Sequence, residues 1–309
     1  MEKVSVLLSV YRPNQKYLEE QLASLDNQTY ENMEILIFDD CVKERCSKEI
    51  FERCLKKKPY RILPYKKKNL GYTKAFEYLT ENSDGDYIAF CDQDDVWHKE
   101  KIEKCVNCLN KDETLLVATD RSIIDEKGEL ICSSVRHTSH SATETWNTYE
   151  DIGIPNLFMC YSPGMSLVAR GDFVRSTVPF SIHTGHDKWV ISCACAMGRV
   201  SYLDQPLAAY RRHGKNVSGV LAGIHCKKDY QEKRVVPNLK LVQEFIKRYP
   251  ECKGNQVALA FARARVKHNI PKLIKYRHLS PDIAKFEILL ALMPDFVMKI
   301  CIRILQRKK

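Results

Sequence analysis

The chain opens on "KVSVLLSVY", β-branched and apolar over the length of one strand, and then changes period: Leu18, Leu22 and Leu25 recur at helical spacing through "NQKYLEEQLASLDNQ". The alternation then repeats. "MEILIFDDC" predicts a second buried strand, "EIFERCLKK" a helix, "YRILPYK" a third strand, and "GYTKAFEYLTEN" a helix entered through the Asn69-Leu70-Gly71 turn. "DYIAFCDQDD" predicts a fourth strand, and "HKEKIEKCVNCLN" the helix after it. Short apolar runs alternating with helices at this rhythm predict an α/β fold built on a doubly wound, mostly parallel sheet of Rossmann-like type.

From about Leu115 the pattern changes to shorter strand-like pieces, "LLVATDRSIIDEKGEL" and "YSPGMSLVAR", separated by the Ser/Thr-rich "RHTSHSATETWNT". That stretch is expected to be an inserted, mobile surface that meets a second substrate. "HDKWVISCACAMG" predicts a helix opened by an acid, and "VSYLDQPLAAYRRHGKNVSG" a strand running into a basic, glycine-containing loop. After Val217 the chain is expected to be helical and basic. The expected organisation is a domain over 1–219, with a nucleotide-binding half at 1–114 and an acceptor-binding half at 115–219, followed by a helical extension at 220–309.

Charge sharpens this division. Residues 221–309 carry 20 Lys and Arg against 7 Asp and Glu, whereas residues 1–220 carry 29 against 32. The basic part should therefore face something anionic, a lipid surface or a nucleic acid. Aromatic residues are scarce among those cations, which argues against nucleic acid, since single-strand binding needs stacking platforms. The N-terminus shows neither a basic leader nor a small-residue cleavage site, so no secretion signal is expected. Thirteen cysteines without regular spacing, mostly in apolar stretches, fit a reducing cytoplasm. Cys105 and Cys108 have zinc-type spacing but no second pair at finger distance, and are expected on a helix face.

The chemistry concentrates where the strands end. Tyr11 and Arg12 follow the first strand, Asp39 and Asp40 the second, and "DQDD", with Asp92, Asp94 and Asp95, the fourth. Sheets of this class bind ligands outside the carboxyl ends of their strands. Buried carboxylates in such numbers need a counter-charge or open water. Asp95 could equally cap the following helix.

The ordered set "VSVLLSVYRPNQKYLEEQLASLDNQTYENMEILIFDD", "NLGYTKAFEY", "DYIAFCDQDDVWHKEKIE", "SPGMSLVAR" and "HDKWVISCACAMGRVSYLDQPLAAYRRHGKNVSG" resembles the family 2 inverting glycosyltransferases of GT-A fold over residues 3–219. Within them it looks most like the bacterial rhamnosyltransferase-like enzymes of cell-surface polysaccharide synthesis. The resemblance implies that Asp39 lies beside the nucleotide base, that Asp92 reaches the ribose or the metal, and that Asp94 binds a divalent cation. Tyr11, Arg12, Asn69 and Gly71 would line the nucleotide-sugar site, Gly164 would allow close approach of the donor sugar, and Arg211 and Lys215 would meet phosphate. His213 would supply a metal or diphosphate contact. Asp187 would be the catalytic base, preceded here by His186 as in the rhamnosyl-type branch. Magnesium or manganese is the cation such oxygen ligands suit.

The activity so implied is transfer of a sugar, rhamnose from dTDP-rhamnose or another sugar from a UDP-sugar, onto a lipid-linked or growing glycan. A non-catalytic module binding sugar nucleotide or glycan is the contrasting reading, and nucleotidyltransfer lacks its glycine-rich phosphate loop in "SVYRPNQKY". In residues 281–309, Asp295, Lys299, Arg303 and Arg307 form a polar stripe beside Phe296, Val297, Ile300, Ile304 and Leu305. This predicts an amphipathic helix in the interface of an anionic membrane, on the cytoplasmic face, or packed on its own domain or in a homo-oligomer.

Overall fold

The computed structural model describes residues 1–214 and 223–307, and the chain divides into two compact units. The first comprises Met1–Ile152 and Cys160–Arg212, the second Gly153–Met159 and His213–Lys309. The division falls after Arg212, ahead of the boundary expected after residue 219. That position lies outside the described residues.

In the first unit the anticipated strands and helices alternate: β1 (Val4–Val10), α1 (Gln15–Asp26), β2 (Met33–Asp39), α2 (Lys48–Cys54), β3 (Tyr60–Ile62), α3 (Tyr72–Glu81), β4 (Tyr87–Cys91) and α4 (Lys101–Asp112). A two-residue strand, β5 (Val96–Trp97), intervenes between β4 and α4; β6 (Leu116–Ile124), β7 (Leu130–Cys132), β8 (Leu167–Arg170) and β9 (Val200–Arg211) follow. The sheet runs β3-β2-β1-β4-β8-β6-β9-β5, with β7 paired to β6. From β3 to β4 all pairings are parallel; β8 then runs antiparallel to both β4 and β6, β9 parallel to β6, and β5 antiparallel to β9.

Both faces of the parallel block are covered, which is why its strands read as unbroken apolar runs. Val4, Val6, Leu8 and Val10 of β1 share one buried cluster with Leu18, Leu22 and Leu25 of α1 and with Ile102, Cys105 and Leu109 of α4. On the other face Phe76 of α3 meets Phe90 of β4 edge-on, with ring centroids 5.7 Å apart. Asn14 starts α1, its side chain accepting from the Lys16 and Tyr17 amides at 3.0 and 3.4 Å. The register fixes the site: Val10 of β1 lies opposite Asp39 of β2, and Leu8 opposite Cys91 of β4. Three strand ends therefore reach one edge of the sheet together.

The Ser/Thr-rich stretch differs from expectation. It folds into short helices tied to β6: Ser134 donates to the buried Asp120, the Arg121 guanidinium holds Glu144 through two bonds of 2.8 and 2.9 Å, and Arg136 donates to the carbonyl of the buried Trp146 at 2.6 Å. These bonds fix a segment that polar composition suggested would be mobile. Cys105 and Cys108 lie on α4, and no disulfide joins any cysteine among the described residues.

The second unit is helical. Its main helices are Val236–Arg248, Asn255–Val266, Pro281–Leu292 and Asp295–Arg307. A buried ion pair, Arg265 to Glu287 at 2.7 Å, is completed by the Tyr230 hydroxyl donating to Glu287 at 2.8 Å and by Arg265 donating to Asn238. Breaking such a pair from one side leaves a bare buried charge, so it specifies how these helices meet. The single helix expected over 281–309 is instead two, interrupted at Met293-Pro294, because proline disfavours helical geometry in the residue before it. Among the described residues no helix is long and apolar enough to cross a membrane.

Candidate active site

Each strand end is fastened before it presents a side chain. After β1, the Tyr11 amide donates to Gln93 Oε1 at 2.7 Å and the Tyr11 carbonyl accepts from Gln93 Nε2 at 3.1 Å, which joins the β1 loop to the acidic loop after β4. The Tyr11 ring remains 46% exposed, a surface open to a ligand. Arg12 turns outward at positive φ, its guanidinium 3.5 Å from Glu44.

After β2 the two acids diverge, because successive residues of an extended chain point to opposite sides. Asp39 accepts from the Cys41 and Cys46 amides at 2.9 and 2.7 Å and so shapes the loop that follows. Asp40 accepts from the Leu70 amide at 2.7 Å, the Gly71 amide at 2.8 Å and the Asn69 side chain at 2.7 Å. It latches the whole Asn69-Leu70-Gly71 turn to β2. Gly71 sits at φ 79°, a conformation that side chains rarely adopt. Asn69 and Gly71, expected to touch the donor, are thus engaged with Asp40, and through it they set the start of α3.

The acidic loop holds the site's charge. Burial, then the negative charge of Asp94, then that of Asp187 push the Asp92 carboxyl up to about 7. Asp95 is 1% exposed and is pushed well up by burial and by Asp92 and Asp94. Its Oδ1 accepts from the Arg211 amide at 3.1 Å, and its Oδ2 has no hydrogen-bond partner among the described residues. It caps no helix, since β5 intervenes and Glu100 stands at the start of α4. Beneath the loop lies Lys101, wholly buried, its ammonium 3.3 Å from the Trp97 ring centroid and donating to the Met165 carbonyl. Burial pushes this lysine down to about 8, against the pull of Cys105, Cys91, Asp95 and Asp92.

Arg211 has a role the sequence did not suggest. Its side chain is 0% exposed, paired with Glu20 of α1, donating through Nε to the Asp94 carbonyl at 2.9 Å and through Nη1 to the Asp125 carbonyl at 3.3 Å. A guanidinium buried in this way is a clamp on the backbone of the acidic loop, and the phosphate contact expected of it would require it to leave that position. Lys215 lies outside the described residues. His213 is half-buried and belongs to the second unit.

Asp187 stands in the first turn of the helix His186–Met197, its Oδ1 accepting from the Lys188 amide at 2.7 Å. The segment before it is held to α3: Thr73 Oγ1 donates to the Thr184 carbonyl at 3.1 Å. A Cβ at Gly185 would lie 2.5 Å from Asp187 Oδ1, so this glycine leaves room for the carboxylate. Gly164 likewise has a neighbour that accounts for it, since a Cβ there would lie 2.4 Å from Nε2 of the buried His186. The room expected for a donor sugar is filled by an imidazole.

The residues suit a divalent cation. Asp92 and Asp94 are hard oxygen donors, and Asp92 is raised first by burial and then by the like charge of Asp94 and Asp187, the part of the shift that a cation would offset. Among the described residues no group of three or more His, Cys, Asp or Glu is arranged to hold a metal. Two carboxylates completed by ligand phosphates are the usual magnesium arrangement. Lys101 and Glu20 were not singled out from the sequence, since neither carries a local signal of its partner, and Asp40 and Gln93 stood in the strand-end clusters without a role of their own.

With this geometry in hand, the chain matches the family model described as Glycosyl transferase family 2 over residues 5–175. It is 27% identical over 221 residues to an uncharacterized glycosyltransferase of Nostoc sp., covering 69% of this chain and 66% of that one. It is 30% identical over 212 residues to an uncharacterized glycosyltransferase of Rickettsia felis, covering 69% of this chain. The match spans only 33% of the Rickettsia protein. A putative teichuronic acid biosynthesis glycosyltransferase, TuaG of Bacillus subtilis, is 28% identical over 125 residues, 40% of this chain and 49% of its own. Among solved structures, S. aureus TarS 1–349 in complex with UDP superposes with a TM-score of 0.59 at 16% identity, over 91% of this chain and 82% of that one. The same protein in complex with UDP-GlcNAc gives 0.56. The shared architecture is the GT-A fold.

Proposed function

Since the chain belongs to glycosyl transferase family 2, we propose that it is an inverting, divalent-cation-dependent glycosyltransferase that moves a sugar from a nucleoside diphosphate onto a hydroxyl of a cell-surface glycan. The observation that carries this reading is that Asp92 and Asp94 follow β4 at the carboxyl edge of the parallel strands, with the charge of Asp187, from the first turn of the helix His186–Met197, acting on Asp92. In the proposed reaction the acceptor oxygen attacks the anomeric carbon from the face opposite the diphosphate. A new C–O bond forms, the bond to the diphosphate oxygen breaks, and Asp187 takes the hydroxyl proton. Asp94 and Asp92 would hold magnesium or manganese, which offsets charge on the leaving diphosphate when bound. Asp39 and Tyr11 would receive the nucleoside, and Gln93, Asp40 and Arg211 keep the three loops in place around it.

The donor we propose is dTDP-rhamnose, on the resemblance of the His186-Asp187 pair to the rhamnosyl branch. A UDP-sugar is the second reading, supported by the UDP and UDP-GlcNAc complexes of TarS. The acceptor class, a lipid-linked or growing surface polysaccharide, is supported by the description of TuaG. Purified protein incubated with dTDP-, UDP- and GDP-sugars should release nucleotide from one base class, and only with magnesium or manganese present. Release from none of them would leave a sugar-nucleotide or glycan-binding module.

We also place the protein on the inner face of the plasma membrane through its last two helices. In Asp295–Arg307, Met298 and Ile302 are buried in a cluster with Ile224, Tyr230, Val235 and Leu290, whereas Phe296 and Ile300 are 65% and 51% exposed. Leu289 and Leu292 of the preceding helix are exposed too. One side of the last helix thus completes its own unit, and removing it would uncover that cluster. The informative change is on the exposed side. Phe296→Glu with Ile300→Glu should lower binding to anionic vesicles by at least about tenfold, since burying two such side chains contributes roughly 1.5–3 kcal/mol each. Nucleotide release from soluble donor should be unchanged. An intact protein indifferent to vesicles, but a dimer that the double substitution splits, would assign the patch to a second copy.

A further inference from the structure

His186 is 4% exposed, lies with its ring centroid 3.9 Å from that of Phe76 at 30° and 5.0 Å from that of Phe90 at 45°, and has no hydrogen-bond partner at either ring nitrogen among the described residues. Its ring edge faces Gly164, where an added Cβ would come within 2.4 Å of Nε2, 3.0 Å of Cε1 and 3.6 Å of Cδ2. The contact joins two distant parts of the chain. Gly164 belongs to a single 3₁₀ turn that leads into β8, and His186 opens the helix that presents Asp187.

We propose that Gly164 is the seat of the His186 ring, and that His186, by filling it, is a positioning residue that fixes where Asp187 enters the site. This rests on the reading of Asp187 as the base. Three facts exclude other roles for the imidazole. A nitrogen packed against a Cα has no room for a substrate or metal; the flanking Phe76 and Phe90 offer faces rather than acceptors; and burial pushes the imidazole down to about 4, leaving it neutral at physiological pH. What the ring supplies is volume and shape. A buried polar ring without partners is costly, and the dense packing around it transmits any displacement to its neighbour along the chain. The next residue is Asp187.

The test is a double-mutant cycle. Gly164→Ala forces the ring out and should lower kcat by roughly 10–100-fold, as a displacement near 1 Å at a reacting group does, with KM for the donor within about threefold of wild type. His186→Ala removes the obstacle and leaves a cavity, with a smaller loss of kcat. Gly164→Ala combined with His186→Ala should be more active than Gly164→Ala alone, because the added methyl then occupies vacated space; the two losses are not additive. None of the three should shift the pH–rate profile, since the imidazole is neutral across it. If Gly164→Ala is poorly soluble, the same recovery is read in soluble yield and melting temperature. A double variant no better than Gly164→Ala, or a loss expressed in donor KM, would overturn the proposal and return Gly164 to the donor sugar. Asp187→Asn assayed alongside keeps the two readings apart: retained turnover there removes the base assignment, while recovery in the double variant reports the Gly164–His186 contact regardless.

Discussion

Asp187→Asn should bind the sugar nucleotide as the wild type does and lose turnover by on the order of 10²–10⁴-fold, the contribution of a positioned general base. The amide preserves the size of the side chain, and its oxygen can still accept from the Lys188 amide, which the carboxylate now holds at 2.7 Å. The start of the helix therefore stays in place and only the capacity to take a proton is lost. Donor affinity measured by calorimetry and kcat measured with saturating acceptor separate the two. A fall in kcat smaller than about tenfold would leave Asp187 as an acid favoured by the helix dipole alone, a contribution of roughly 0.3–1 kcal/mol, and would place the base elsewhere.

Asp94→Ala should abolish cation-dependent transfer, with a loss on the order of 10²–10³-fold, comparable to deleting one group that stabilises developing charge. The substitution is clean because the loop backbone is held independently. Arg211 donates to the main-chain carbonyl of residue 94, at 2.9 Å, and its amide bonds to Asp95. Removing one of the two neighbouring charges should also let Asp92 titrate closer to the usual carboxylate range. Chelator-treated wild type should behave as the variant does, and added magnesium or manganese should restore only the wild type. Full activity in excess chelator would sink the metal assignment.

The parts of the fold that were legible in the sequence are those whose burial is two-sided. β1, β2 and β4 read as apolar runs because helices cover both faces, and the turn residues between them mark where each run stops. β5 could not be read: two residues, Val96 and Trp97, become a strand only because β9 supplies Ala209 and Ala208 opposite them. The buried position of Arg211 was not legible for a related reason. A cation beside a glycine-containing loop looks solvent-facing in sequence, and nothing local indicates that Glu20, 191 positions away, pairs with it. The acids at the strand ends were legible as a group because a tight cluster of carboxylates is expensive in any fold. Their separate duties were not, since Asp39 and Asp40 differ only in which side of the chain they leave.

That last distinction bears on how this protein can be re-engineered. The turn at 69–71 and the end of β2 come from separate stretches of sequence, yet Asp40 makes them one part through its bonds to the Leu70 and Gly71 amides and to Asn69. A chimera that imports the turn from a relative while keeping the native strand, or the reverse, risks leaving a buried carboxylate facing the wrong backbone, at about 1–3 kcal/mol for each polar group left unsatisfied. Crossover points for donor-swapping libraries should therefore exchange residues 39–41 and 69–72 as a single cassette, although the segment between them, which carries α2 and β3, can stay.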